Sequence, residues 1–157
     1  MRLKGEDGTS FELKIEGYQF PEIQDDRWDS NWLVVSGQVA HPRGDWTFRN
    51  PCLTTFEIEQ LARWFDTVAV GKPKSAEGYF TEPNLEFRYV KGPAAVDVRL
   101  GHECAPPWLA SRDARLEGVV LRFPLAQNDP KEAARALRKY IKKFPPRGPL
   151  EGAEGAA

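Results

Sequence analysis

The chain has 157 residues, 41% of them hydrophobic and 29% charged, with a formal net charge of −1. That is long enough to bury a core without staples, and it lacks the basic excess of a dedicated nucleic-acid binder, so no nucleic-acid partner is expected. The two cysteines, Cys52 and Cys104, are too few for a disulfide framework and fit a reducing compartment. Phe11, Leu13 and Ile15 alternate with Glu12, Lys14 and Glu16, which predicts a half-buried strand. Asp7-Gly8 is a turn signal, so residues 2–6 are expected to pair with that strand. The strand ends at Gly17-Tyr18.

The next stretch combines more apolar bulk and charge than any other. Phe20-Pro21 turns the chain, because proline fixes φ and pushes its predecessor to an extended shape. Glu22, Asp25 and Asp26 form an anionic loop, with Arg27 and Trp28 beside them. Asp29-Ser30-Asn31 reads as a turn, since short polar side chains bond nearby backbone groups. Asp29 and Asn31 are expected to make those bonds, ahead of a substantially buried Trp32. Trp28 follows no strand pattern and is the aromatic least claimed by a core.

A second strand is expected over about Trp32–Ala40, closed by a His41–Asp45 hairpin into Trp46-Thr47-Phe48. Thr54 and Glu57 are spaced as a capping box, and Ile58, Leu61, Phe65 and Val68, with Trp64 beside them, form a helical stripe that Gly71 and Pro73 stop. Lys72–Gly78 is a polar loop. Strands follow at Leu85-Phe87-Tyr89, Val96-Val98-Leu100 and Val119-Leu121-Phe123, the last reached through a connection at Ala105–Arg115. Asp129-Pro130 opens a final helix with Ala133, Leu137, Ile141 and Phe144 on its buried stripe, and Pro145-Pro146 ends it. The fold expected is α+β. A bent antiparallel sheet of six or seven strands carries one central and one C-terminal helix, in a single domain over 1–144 with a disordered tail over 145–157.

His41, Cys52, His102 and Cys104 are a zinc-like count without finger-like spacing. His102 and Cys104, two apart on an expected strand, share its core face, so neither a metal site nor a cysteine–histidine nucleophile pair is expected. The chain carries no serine-centred elbow, phosphate-binding glycine loop or dinucleotide fingerprint. Among Glu22, Asp25, Asp26 and Asp29, a hydrolase-type carboxylate pair stays open as an alternative. Arg135, Arg138, Lys139, Lys142 and Lys143 lie outside the last helix's apolar stripe, as cations that complement the helix dipole. No cofactor is expected. No apolar run could span a bilayer and Met1–Asp7 do not read as a signal peptide, so the expectation is a cytoplasmic protein with no membrane partner. Abundant arginine and proline with scarce methionine lean towards a thermophilic source.

Tyr18-Gln19-Phe20-Pro21, followed by Asp29-Ser30-Asn31-Trp32-Leu33, resembles the start of the WapI-type family of bacterial contact-toxin immunity proteins. Pro51-Cys52-Leu53-Thr54-Thr55-Phe56-Glu57, leading to Leu61 and Trp64-Phe65, is similar to its second block, and Leu85-Glu86-Phe87 to its third; the resemblance covers about residues 1–125. It implies a non-enzymatic protein that neutralises a toxin by covering it. Many such toxins are nucleases with basic clefts, which would suit an acidic loop. Glu22, Asp25, Asp26, Arg27 and Trp28 are the expected partner contacts. Tyr18, Phe20, Pro21, Asp29, Asn31 and Trp32 are the expected structural motif. The alternative is a small cytoplasmic domain that kept the fold without a toxin.

Overall fold

The computed structural model describes residues 1–73, 77–78 and 80–149, with the backbone alone at 77 and 78. Among the described residues, eight antiparallel strands form two four-stranded sheets. The first holds β1 (Arg2–Lys4), β2 (Ser10–Tyr18), β3 (Trp32–Ala40) and β4 (Trp46–Thr54) in that order. The second holds β5 (Glu77–Gly78), β6 (Leu85–Val90), β7 (Ala95–Leu100) and β8 (Val119–Pro124). The α+β class therefore holds, but one bent sheet of six or seven strands does not. Each sheet pairs its strands in chain order, and the helix α1 (Thr55–Ala69) separates β4 from the second half. The single-sheet expectation missed that break.

Local chemistry fixes the elements largely as the spacing predicts. Asp7 and Gly8 both take positive φ, 54° and 76°, in the β1–β2 turn. Phe11, Leu13 and Ile15 are buried and face the core. Thr54 Oγ1 accepts from Glu57 N while Glu57 Oε2 accepts from Thr54 N, so the capping box is complete at the start of α1. Ile58, Leu61, Phe65 and Val68 are buried. The aromatic rings of Trp64 and Phe65 meet Phe87 of β6 edge-on, which seats α1 on the second sheet. Phe11 and Phe123 approach to 6.5 Å between centroids and join the cores of the two sheets.

Four expectations need correction. The helix α3 (Pro130–Lys143), capped by Asp129, packs along α1 rather than on another part of a sheet, with Ala133, Ala134 and Leu137 buried and Arg138 bonded to Asp66. A short helix α2 (Arg112–Glu117) lies inside the connection read as irregular; none of its residues is buried, so it carried no apolar period to find. His102 and Cys104 sit in a 3-10 turn and not on a strand, because His102 takes φ 54° just after β7 ends at Leu100. Of the 72–78 loop, Glu77–Gly78 form β5, and residues 74–76 lie outside the described residues.

The edge strands β1 and β8 come together through a side chain. Asn128, after β8, donates Nδ2 to Lys4 O at 2.8 Å and accepts from Lys4 N at 2.7 Å. Its carboxamide stands in for the backbone of a further strand. Strands β2 and β3 stay paired as far as Tyr18 and Leu33, and Gln19 N donates to Trp32 O at 2.8 Å. The loop beyond, residues 20–31, has no ladder to hold it.

Candidate functional site

The loop is built from turns. Pro21 occupies the second position of a turn closed by Ile23 N on Phe20 O at 3.1 Å. Asp26 then caps a helical turn. Its Oδ1 accepts from both Trp28 N and Asp29 N at 2.7 Å, while its own N–H donates to Ser30 Oγ at 3.0 Å. Ser30 N returns to Asp26 O at 3.2 Å and Asn31 N to Trp28 O at 3.0 Å. The turn leaves Trp28 pointing outward, 54% exposed, with the Arg27 guanidinium carbon 5.6 Å from its ring.

Asn31 anchors the base of this turn and is fully buried. Its Nδ2 donates to Arg27 O and to Arg147 O, each at 2.7 Å. Its Oδ1 accepts from Thr55 Oγ1 at 2.8 Å and from Arg147 N at 2.9 Å. Two donors and two lone pairs are thus all in use. One carboxamide ties the turn to the first residue of α1 and to the segment after α3.

That segment is the feature the sequence concealed. Arg147 donates Nε to Ser30 O at 3.0 Å, Nη1 to Pro21 O at 2.9 Å, and Nη2 to Phe20 O at 3.0 Å and Ser30 O at 2.9 Å. Its guanidinium carbon lies 3.6 Å from the centroid of the Tyr18 ring, whose hydroxyl donates to Pro145 O at 2.6 Å. Burial raises the Tyr18 phenol above its ordinary range, with Arg147 opposing. Pro145 and Arg147, within the span read from the sequence as a tail, thus bond directly to Tyr18 and to the loop. Residues 150–157 lie outside the described residues. Pro-Pro-Arg-Gly-Pro has no periodicity, so nothing in the sequence marked it as a partner of the loop.

The expected motif residues divide on inspection. Asn31 bonds backbone as expected. Asp29 does not take that part: its carboxylate is exposed, and Asp26 accepts the turn's amides instead. Trp32, the first residue of β3, is half-buried rather than substantially buried.

 Tyr18 and Phe20 are half-buried and Pro21 is exposed. Of the expected contact residues, Glu22, Asp25, Asp26 and Trp28 are exposed and Arg27 is half-buried. Asp26 has a second duty as the cap of the turn.

Beside the turn lies a cleft of about 510 Å³. Arg27 and Trp28 of the turn, Glu59, Gln60 and Arg63 of α1, and Pro146 line it. Buried Glu57 lines it too, and its Oε1 accepts from Thr81 N at 2.6 Å. Arg63 pairs with Glu59 at 3.5 Å.

The residues weighed for metal or nucleophilic chemistry are dispersed. His41 packs against Trp46 and Trp108 at the β3–β4 hairpin, while His102 is on the 3-10 turn. Cys52 and Cys104 are buried free thiols. A hydrogen bond to Cys104 and then burial push Cys52 well above the ordinary thiol range, which disfavours the reactive thiolate. Among the described residues, no three histidine, cysteine or carboxylate side chains gather as a metal site. No helix among them is long and apolar enough to cross a membrane.

Residues 2–145 match the model of the Immunity protein WapI-like family. The chain belongs to that family. The match includes α3, beyond the 1–125 span of the sequence resemblance, and it ends before Arg147. No curated protein and no solved structure matches the chain. In this WapI-like protein the loop offers recognition chemistry: an exposed indole and carboxylates displayed on a turn whose backbone is bonded from both sides.

Proposed function

We propose that this chain is a non-catalytic immunity protein that neutralises a bacterial toxin by direct contact, acting in the cytoplasm where a delivered toxin would have to be met. Glu22, Asp25, Asp26, Arg27 and Trp28 form the contact. The observation that carries the reading is Trp28, 54% exposed on a bonded turn and flanked by exposed carboxylates. Tryptophan and arginine are the side chains that most often dominate binding energy, and an anionic rim speeds encounter with a basic partner. Family membership supports a protein partner.

The test screens the open reading frame beside this chain's gene for a toxin domain and uses that domain as the probe. Co-expression of this chain should restore growth to cells making that domain. Trp28→Ala should weaken binding by about 30-fold, the equivalent of a hot spot of about 2 kcal/mol. A protective chain whose Trp28→Ala variant binds as tightly as the parent would place the contact elsewhere. Absence of protection and of binding would overturn the immunity reading.

A further inference from the structure

We propose that residues 145–149 are a brace that holds the contact loop in its binding shape, with Arg147 as the positioning residue. This rests on reading the loop as the contact surface. Phe20 and Pro21 open the loop and Ser30 closes it, and one guanidinium bonds the carbonyls of all three. Both ends of the loop are thereby fixed relative to each other, which sets where the Asp26–Ser30 turn points Trp28. The backbone of Arg147 is itself held through Asn31, at both its N–H and its carbonyl.

Gly148 gives independent support. A Cβ there would lie 2.9 Å from Asp26 O, and its φ is +79°, so the brace runs against the turn where a side chain has no room. The fit depends on arginine in particular. Lysine carries the same charge, but its ammonium is a point donor that cannot span separate carbonyls in a fixed fork. The family match stops at residue 145, so Arg147 and Gly148 lie beyond the matched span.

Freeing the loop should lower the fraction of molecules in the binding-competent shape, and apparent affinity falls by that fraction. The brace contacts no partner in this reading, so its loss should slow association more than it speeds dissociation.

The experiment compares full-length Arg147→Ala, Arg147→Lys and Gly148→Ala with the parent. Amide hydrogen exchange is read at Trp28–Asn31 and, as an internal reference, in β7. Exchange in the turn should quicken about tenfold or more in all three variants, with β7 unchanged. Affinity for the adjacent toxin domain should fall about tenfold, mainly through on-rate. Unchanged turn exchange in Arg147→Ala overturns the brace, and so does parental behaviour of Arg147→Lys, which would make the residue a charge only. Quickened β7 exchange of the same size also overturns it, since the effect would then be global. If Arg147→Ala binds normally while Trp28→Ala does not, the brace fails and the contact reading stands. If Trp28→Ala also binds normally, the contact reading fails.

Discussion

Replacing Asn31 with alanine should cost far more than replacing Asp29, although the sequence presents the two as one turn. Asn31 is fully buried and makes four hydrogen bonds, at 2.7, 2.7, 2.8 and 2.9 Å. Each such bond contributes about 1 kcal/mol net, and partners left buried without a replacement cost more. Water can reach some of the orphaned groups once the brace loosens, so the total should be about 3 kcal/mol rather than the sum of full desolvation penalties. For a domain of this size that lowers the melting temperature by roughly 6–12 °C. Asp29→Ala removes an exposed carboxylate and should stay within about 0.5 kcal/mol. Asn31→Asp separates shape from chemistry: it keeps the outline but turns both Nδ2 donors into acceptors facing the Arg27 and Arg147 carbonyls, and should be no better than alanine. Thermal and urea melts of the three variants decide the matter. Equal losses for Asp29→Ala and Asn31→Ala, or a loss below about 1 kcal/mol for Asn31→Ala, would refute the bonding scheme.

Three other outcomes are expected. A Cβ on Gly37 would fall 2.1 Å from Cζ of Phe48, so Gly37→Ala should lose about 1–3 kcal/mol by overpacking, and adding Phe48→Leu should recover part of it in a double-mutant cycle. Asp26→Lys should both destabilise the turn and weaken toxin binding, whereas Glu22→Lys with Asp25→Lys should leave the melting temperature unchanged and slow association at low salt; equal melting behaviour of the two designs would dismiss the capping role of Asp26. The hydrogen bond from Arg138 holds the Asp66 carboxyl below its ordinary range. A depressed carboxylate contributes stability above its unfolded value near pH 4 that is lost as pH falls through the folded value. The difference in melting temperature between the parent and Arg138→Gln should therefore be present at pH 7 and vanish in acid. The stability behind that difference should be small, about 0.5 kcal/mol, because both side chains are nearly half exposed.

The sequence made legible whatever depends on neighbours. Period-two alternation placed β2, β6, β7 and β8, and the Thr54–Glu57 spacing placed the start of α1, because those signals are local and energetically dominant. The division into two sheets was hidden, since hairpin spacing shows which strands are consecutive but not where a run of pairing ends. The loop over residues 20–31 was half legible. Trp28 stood out because it broke every pattern, yet the carboxylate capping the turn was Asp26 rather than Asp29. Both candidates are short acids before amides, and only the backbone path distinguishes them. Arg147 was not legible at all. Its partners are carbonyls more than a hundred residues earlier, and backbone acceptors leave no mark on a sequence.

The brace works through geometry rather than through charge. Glu22, Asp25, Asp26 and Asp29 are exposed and can draw donors from water. The carbonyls of Phe20, Pro21 and Ser30 lie at the two ends of the loop, and tying those ends together needs donors fixed relative to one another. Asp26 meets only the opposite need, by accepting amides that the turn exposes. Arginine carries five donors on one planar group, and Arg147 reaches all three carbonyls at once. A point donor such as lysine could bond one end of the loop and leave the other free, so it is the fork of Arg147 that couples the two ends.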